Sequence, residues 1–160
     1  MSNRIKYLVM DVDGTLTDGK IYMGNEGEIM KAFDIKDGYG IHDILPHAEI
    51  KPVIITGRTS AILTNRCKEL GIEYLFQGVS EKVKTLIEFL EGQGSDFSAV
   101  AYIGDDLNDL ECMEIVKEHG GVVGVPADAH KQTKTIADYI ADNKGGAGAV
   151  RNFIDYLVTA

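Results

Sequence analysis

The chain has 160 residues, a net charge of −9 and a hydrophobic share of 44%, which suits one domain with a sizeable core. The negative charge argues against nucleic acid or an anionic membrane as the main partner. It does not exclude a small anionic substrate, because a bound metal ion can reverse the local charge.

The cysteines and the N-terminal segment bear on the compartment. Cys67 and Cys112 lack the spacing of metal ligands and are interpreted as free thiols of a reducing cytosol. Residues 1–4 lead directly into the first strand, so no signal peptide is expected. No apolar stretch approaches the roughly 20 residues of a membrane helix. We therefore expect a cytoplasmic protein without a membrane anchor.

Short apolar runs alternate with helical patterns along the chain. The runs predict strands at 5–10, 52–55, 74–76, 99–103 and 121–125, and a short last strand at 137–140. Helices are predicted at 37–45, from a cap at Thr59 or Ser60 to Leu70, at 81–91 after a Ser80 cap, and at 107–118, with a helical turn at 127–133. This alternation predicts an α/β fold, a Rossmann-like three-layer sandwich around a parallel central sheet.

Two segments interrupt this pattern. Residues 18–33 form two short runs around a turn-forming quartet, which predicts a β-hairpin flap. An isolated hairpin is marginal in water, so its apolar side chains are expected to pack on their own domain or on a partner chain. Residues 145–148 are glycine-rich and predict a flexible hinge before a final amphipathic helix at 149–158. We expect a single domain over 1–160, with a hairpin insert at 18–33 and a hinged tail at 145–160.

Polar residues follow three of the predicted strands. Asp11, Thr56 and Asp105 each come just past the end of a buried run. The carboxyl ends of parallel strands lie at one edge of a sheet, where open α/β folds place their ligands. The three side chains are therefore expected to converge, although they are far apart in sequence.

These residues, with Asp13, Lys82 and the acidic segment after Asp105, suit phosphoryl transfer through an aspartyl-phosphate. A carboxylate can attack phosphorus without prior deprotonation, and a second carboxyl can protonate the leaving oxygen and later activate water. A hydroxyl and an ammonium can bind the phosphate oxygens. Mg²⁺ held by carboxylates and a backbone carbonyl would neutralise the charge between nucleophile and phosphate.

The same residues resemble the four motifs of the haloacid dehalogenase superfamily of phosphotransferases, in the right order and over essentially the whole chain. The matches are Asp11-Val12-Asp13-Gly14-Thr15, then Thr56, then Lys82, then Gly104-Asp105-Asp106-Leu107-Asn108-Asp109, whose last acid comes one residue early. The resemblance implies that Asp11 is the nucleophile and Asp13 the general acid/base. It implies Mg²⁺ ligation by Asp11, the Asp13 carbonyl and Asp105, and phosphate binding by Thr56 and Lys82. Asp106, Asn108 and Asp109 would support the site.

The short intervals between these motifs have a second consequence. Neither the interval from Asp11 to Thr56 nor that from Thr56 to Lys82 can hold a separate cap domain in addition to its helix and strand. We therefore expect a capless fold whose site is open in a monomer. Another element must then exclude water and recognise the leaving group. The hairpin and the tail are available, contributed by neighbouring subunits.

Within the superfamily, the chain resembles the capless, tetrameric phosphatases of 3-deoxy-D-manno-octulosonate 8-phosphate, which act in lipopolysaccharide sugar biosynthesis. The matching features are the hairpin, FDIKDGYG at 33–40, Thr56-Gly57-Arg58, Arg66 with ELGI at 69–72, FQG at 76–78, and Gly145-Gly146 before Arg151. The resemblance implies sugar-acid phosphate binding by Asp13, Asp34, Lys36, Asp37, Gly38, His42, Gly57, Arg58, Arg66 and Lys82. Its octulosonate members usually carry arginine where His42 stands here, a departure that bears on the substrate and leaves the reaction type untouched.

Three alternatives remain. A sister group acting on nine-carbon keto-deoxy sugar acid 9-phosphates resembles the chain nearly as well, but carries an acid after its Thr-Gly, where Arg58 could instead pair with a sugar-acid carboxylate. Arg58 and Arg66, eight positions apart, are expected on one helix and facing the same way. A receiver-like phospho-acceptor domain is disfavoured by the second carboxyl at Asp13. A non-catalytic assembly module is disfavoured because no motif residue is missing.

Overall fold

Alternating apolar runs build the central sheet. The computed structural model describes residues 4–159; residues 1–3 and 160, which the predicted domain bounds include, lie outside this range. The strands are β1 (Tyr7–Met10), β2 (Tyr22–Gly24), β3 (Gly27–Met30), β4 (Lys51–Ile55), β5 (Tyr74–Phe76), β6 (Val100–Ile103), β7 (Val122–Val125) and β8 (Tyr139–Ile140). The helices are α1 (Ile35–Tyr39), α2 (Leu45–His47), α3 (Ala61–Leu70), α4 (Lys82–Gly92), α5 (Leu107–Glu118), α6 (Lys131–Ile136) and α7 (Ala149–Thr159).

Six of the strands form one parallel sheet in the order β5-β4-β1-β6-β7-β8. Its central strands are buried on both faces, because successive side chains of β1 and β6 point alternately into two separate apolar clusters. Helices α3 and α7 cover one face, and helices α4 and α5 cover the other. The predicted three-layer α/β sandwich without a cap domain is thereby confirmed.

Residues 34–47 are more continuously helical than expected. The side chain of Asp34 caps α1 by accepting hydrogen bonds from the backbone N–H groups of Lys36 and Asp37. A π-helical segment, Gly40–Ile44, then joins α1 to α2. The predicted helix at 37–45 therefore began too late and ended too early, because Asp34 was not recognised as the capping residue.

Two further local predictions were wrong. Ser80 does not cap α4, which begins at Lys82 after Glu81 and has no side-chain cap. The helical turn expected at 127–133 lies later, as α6 at 131–136, and His130 caps it. By contrast, Ser60 caps α3 as one of the two predicted candidates, and α3 ends at Gly71.

The predicted hairpin consists of β2 and β3, which pair antiparallel. Four of its apolar side chains remain between 46% and 65% exposed: Ile21, Met23, Ile29 and Met30. In the described chain they do not pack into their own core, and their cover by a partner chain stays a prediction.

The C-terminal segment packs closely on its own chain. A Cβ at Gly145 would overlap the carbonyl oxygen of Gly14, so only glycine lets the segment pass this close to the loop after β1. Helix α7 buries Val150, Phe153 and Ile154 against the sheet. That the tail is hinged stays a prediction, since it concerns motion. Each helix among the described residues is too short or too polar to span a bilayer.

Candidate active site

The three predicted strand ends converge. β1 lies between β4 and β6 in the sheet, so Asp11, Thr56 and Asp105 emerge side by side at its carboxyl edge. Together they line a cavity of about 500 Å³, a size that suits a small organic molecule. Its other lining residues are Asp13, Gly19, Gly57, Arg58, Asp106, Leu107 and Asn108.

Lys82 joins this cluster from the first turn of α4. Its Nζ lies 3.0 Å from Asp11 Oδ1 and 2.9 Å from Asp109 Oδ1, and its side chain is buried. Burial disfavours the charged amine, but the carboxylates of Asp109 and Asp11 outweigh it and raise the pKa of Lys82 above its ordinary value. The lysine is therefore a fixed ammonium beside Asp11, one of the residues that line the cavity.

Asp109 holds several groups of the site in place through its two carboxylate oxygens. Its Oδ1 accepts hydrogen bonds from Lys82 and, at 2.7 Å, from the Tyr102 hydroxyl, while its Oδ2 accepts from the backbone N–H of Asp105 at 3.1 Å. Asp109 also completes a capping box with Asp106 at the start of α5. Because both oxygens are already occupied by donors, Asp109 is a scaffold for its neighbours.

Carboxylates crowd together beside Lys82. Oxygens of Asp11, Asp105 and Asp109 lie within 4.8 Å of one another. Burial and the Asp109 carboxylate raise the pKa of Asp11 to about 6, although Lys82 opposes the shift. Burial, Asp11 and Asp109 raise the pKa of Asp105 to about 8. Such repulsion between buried carboxylates is relieved by a divalent cation.

The donor set therefore fits Mg²⁺, which prefers oxygen ligands. Because Asp109 is committed to Lys82, Tyr102 and the backbone, Asp11 and Asp105 are the carboxylates best placed to face the ion. Asp13 borders the same cavity. Ligation by Asp11, the Asp13 carbonyl and Asp105 stays a prediction.

The loop after β1 is shaped to bring Asp105 close. The Thr15 hydroxyl donates to Asp105 Oδ1 at 3.2 Å. Gly14 has a φ of 88°, and a Cβ there would overlap the Asp105 carboxylate. Glycine at this position thus permits both the left-handed turn and the close approach of the two loops.

Asp13 is held by two cations. Lys31 Nζ lies 3.3 Å from Asp13 Oδ1, and Arg58 Nε lies 3.8 Å from Asp13 Oδ2. Lys31 belongs to the hairpin flap and is buried, whereas the Arg58 side chain is 46% exposed at the cavity mouth. The acid/base candidate is therefore oriented from one side by the flap and from the other by the loop after β4.

Four residues that support this site were not identified as site residues from the sequence: Lys31, Glu28, which contacts Lys31, Ser60, which donates to Glu28, and Tyr102. The first three link segments far apart in the chain, and such contacts have no local signature. Tyr102 carried a usable signal, because a tyrosine in the middle of a buried strand needs a partner for its hydroxyl.

The remaining sugar-binding candidates lie elsewhere. Lys36, Gly38, His42 and Arg66 border a separate open groove, together with Tyr39 and Arg151. Asp34 caps α1, and Asp37 is buried there with its Oδ1 accepting from the Arg151 backbone N–H at 2.9 Å. Within one chain, none of these six borders the cavity of Asp11.

Arg58 and Arg66 do not share a helix. Arg58 lies in the loop before α3, which starts at Ala61, so the expectation that both face the same way was wrong. Arg66 instead packs over the Phe33 ring, 5.5 Å from its centroid, and beside Gly38. Asp106 caps α5, and Asn108 borders the cavity from the first turn of that helix.

Comparisons with known proteins agree with this geometry. The 3-deoxy-D-manno-octulosonate 8-phosphate phosphatase KdsC of Escherichia coli K12 is 45% identical over 159 residues, which are 99% of this chain and 82% of the relative. The crystal structure of the phosphatase of the same name from Yersinia pestis superposes with a TM-score of 0.91 at 43% identity, covering 99% of this chain and 83% of that one.

A third comparison includes bound ligands. The corresponding phosphatase from Moraxella catarrhalis, solved with magnesium, phosphate and a KDO molecule, has a TM-score of 0.90 at 39% identity, over 99% of this chain and 88% of that one. No model of a protein family matches the chain. The strand-end carboxylates, the buried lysine and these likenesses lead to one assignment: the chain belongs to the 3-deoxy-D-manno-octulosonate 8-phosphate phosphatase family of the haloacid dehalogenase superfamily.

Proposed function

We propose that the protein is a Mg²⁺-dependent phosphatase that converts 3-deoxy-D-manno-octulosonate 8-phosphate into the free sugar acid and phosphate, in lipopolysaccharide sugar biosynthesis. The observation that carries the proposal is the buried Lys82 ammonium between Asp11 and Asp109, next to a third, half-buried carboxylate on Asp105. The relatives from E. coli and Moraxella catarrhalis, both phosphatases of 3-deoxy-D-manno-octulosonate 8-phosphate, supply the substrate class.

In the first half-reaction, an Asp11 oxygen attacks phosphorus. The bond between phosphorus and the sugar oxygen breaks, and Asp13 transfers its proton to the departing alkoxide. Lys82 and the Thr56 hydroxyl hold the non-bridging phosphate oxygens. Lys31 and Arg58 are placed to stabilise the Asp13 carboxylate that remains.

In the second half-reaction, Asp13 accepts a proton from a water molecule, whose oxygen attacks the aspartyl-phosphate. Phosphate leaves and the Asp11 carboxylate is restored. Bound Mg²⁺, facing Asp11, Asp105 and the Asp13 carbonyl, offsets the negative charge that develops between nucleophile and phosphate. Asp109 keeps Lys82 and the backbone of Asp105 in place throughout.

Phosphate release from 3-deoxy-octulosonate 8-phosphate, measured with Mg²⁺ and with EDTA, tests the reaction. We expect turnover only with Mg²⁺. Lack of release from every sugar phosphate tried would contradict an enzymatic role and favour a receiver-like or non-catalytic module.

The length of the sugar is a separate question. Arg58, exposed at the cavity mouth, can pair with a sugar-acid carboxylate in either an eight-carbon or a nine-carbon substrate. Because the group that acts on nine-carbon sugars carries an acid at this position, the basic Arg58 favours the octulosonate. Side-by-side kcat/KM values for the two sugar-acid phosphates decide between them, and a higher value for the nine-carbon compound would reverse the substrate assignment.

A homotetramer with sites at subunit interfaces is part of the proposal. It is supported by the exposed apolar side chains of the hairpin flap and by Ile35, which is 82% exposed beside the groove of Arg66 and His42. A second subunit could thereby bring the groove residues to the cavity mouth of the first. Light scattering should give four times the monomer mass, and a monomer at assay concentration would contradict the shared site.

We also place the enzyme in the cytoplasm. Cys67 and Cys112 are both buried free thiols, as expected of a protein in a reducing compartment. Cell fractionation followed by immunoblotting tests this location, and recovery with secreted or envelope fractions would contradict it.

A further inference from the structure

The hairpin flap reaches the reacting groups through one buried lysine. Lys31, just after β3, is 5% exposed and contacts two carboxylates: Asp13 Oδ1 at 3.3 Å and Glu28 Oε2 at 2.8 Å. Glu28 is in turn fixed to the body of the protein, because its Oε1 accepts from the Ser60 hydroxyl at 2.7 Å. A continuous polar chain therefore runs from the N-cap of α3 through the flap to Asp13.

The body side of this chain is itself well anchored. The Ser60 hydroxyl also accepts from the backbone N–H of Leu63, and the Ser60 N–H donates to the Gln77 side chain at 2.8 Å. Gln77 is further held by Thr64 at 2.9 Å. A largely shielded ion pair with satisfied partners, such as Lys31 and Glu28 with side chains 5% and 14% exposed, holds its members in one arrangement, whereas removal of one member leaves the other charge without its partner.

We propose that Lys31, held by Glu28, is a positioning residue that fixes Asp13 for proton transfer to the leaving oxygen. The inference rests on the proposed phosphatase function and adds a residue to it. Arg58 cannot substitute for Lys31, because Arg58 is half exposed and is needed at the cavity mouth to meet the sugar acid. Lys31 is the buried cation that stays on Asp13 while substrate is bound.

Proton donation to the leaving group distinguishes this role from simple anchoring. An alkoxide or a phenolate leaves slowly unless it is protonated, whereas 4-nitrophenolate is a weak base that leaves with little help. A misplaced acid therefore slows poor leaving groups selectively. The value of kcat/KM isolates this first half-reaction, because it does not contain the later hydrolysis of the aspartyl-phosphate.

The experiment compares three substrates: 3-deoxy-octulosonate 8-phosphate, phenyl phosphate and 4-nitrophenyl phosphate. For Lys31→Met, kcat/KM should fall about 30-fold on the first two and less than about threefold on the third. Lys31→Arg should recover most of the loss. Lys68→Met, at an exposed site on α3, should behave as the parent. Asp13→Asn should show the same order of substrates with larger losses.

Each other outcome overturns the inference. Equal losses on all three substrates would mean that Lys31 only anchors the flap. A loss confined to the sugar phosphate would mean that Lys31 binds the sugar, and no loss would mean that Lys31 is dispensable.

A second variant covers the case in which Lys31→Met does not fold. Glu28→Gln keeps an oxygen for Ser60 but removes the charge facing Lys31, and the same order of losses is expected. If the parent protein hydrolyses none of the three, the proposed function itself fails.

Discussion

The strand-end cluster and the segment around α1 differ in how completely one chain satisfies them. Around Asp11, each buried polar side-chain atom among the described residues has a hydrogen-bond partner: Lys82 lies between two carboxylates, and Asp109 accepts from three kinds of donor. Around α1, Asp37 Oδ2 and Arg66 Nε are buried without a hydrogen-bond partner among the described residues. Both regions are rich in charged residues, but only around Asp11 do the buried polar side-chain atoms all have hydrogen-bond partners among the described residues.

The difference separates two parts of the reaction. Phosphate chemistry needs a nucleophile, an acid, a cation and a metal in fixed positions. The carboxyl edge of the sheet and the first turn of α4 bring the candidate residues for these roles together within one chain. Recognition of the leaving sugar requires surface that encloses the cavity mouth, and a capless chain has little of it. The α1 groove therefore gains a role in the site only if a second chain places it there.

The largest expected effect comes from removing the nucleophile. Asp11→Asn should lower kcat by at least about 10⁴-fold, because no aspartyl-phosphate can form. The fold should persist, and in EDTA at pH 8 the variant should be at least as stable as the parent, since burial and the Asp109 carboxylate disfavour the charged form of Asp11. Turnover and thermal melts measure the two effects. Near-normal rates would exclude covalent catalysis by Asp11.

The next effect tests whether Asp109 is the scaffold of the cluster. Asp109→Asn leaves Lys82 and Tyr102 with a poorer acceptor and presents an N–H₂ to existing donors. We expect a loss of about 3–5 kcal/mol in the free energy of unfolding, as for other broken buried ion pairs, and a fall in kcat of about 10²-fold or more. Asp106→Asn is the matched control, because asparagine still caps a helix. Equal effects of both substitutions would contradict the scaffold role.

A smaller effect is expected at Arg58, where the cavity around Asp11 opens to solvent. Arg58→Met should raise KM for the sugar-acid phosphate about tenfold and leave KM for 4-nitrophenyl phosphate within about twofold, because only the former has a carboxylate to pair. Steady-state kinetics on both substrates provide the measurement. A similar rise in KM for both substrates would show that Arg58 binds the phosphate group instead of the sugar-acid carboxylate.

The smallest effect tests the region around α1, where Asp37 has a buried oxygen without a hydrogen-bond partner among the described residues. Burial raises the pKa of Asp37 to about 6 from its ordinary 3.8, so the folded state favours the neutral carboxyl. Its contribution to stability is full below the unfolded pKa and is lost as pH rises from about 4 to above 6. Asp37→Asn lacks this loss. Relative to the parent, the variant should therefore be more stable at pH 7.5 than at pH 4.5 in urea titrations, and a constant difference would contradict the shift.

Pattern and spacing were sufficient for most of the fold. The strands around Asp11, Thr56 and Asp105, the hairpin and the helices α3, α5 and α7 follow from local periodicity, caps and turns. The Ser80 cap was wrong because α4 begins at Lys82 without any side-chain cap. The helical turn at 127–133 was placed too early because His130, and no earlier residue, caps α6, and Asp34 was likewise missed as the cap of α1.

The sequence by itself determined the chemistry of the cluster, because a parallel sheet brings the ends of its strands to one edge whatever their separation along the chain. Only the tertiary structure decided which groups hold that chemistry in place. Lys31 reaches Asp13 from a separate hairpin, Glu28 reaches Ser60, and Tyr102 reaches Asp109 beneath the cavity. These contacts depend on how the flap, the sheet and the helices pack together, and no periodic pattern in the sequence predicts that packing.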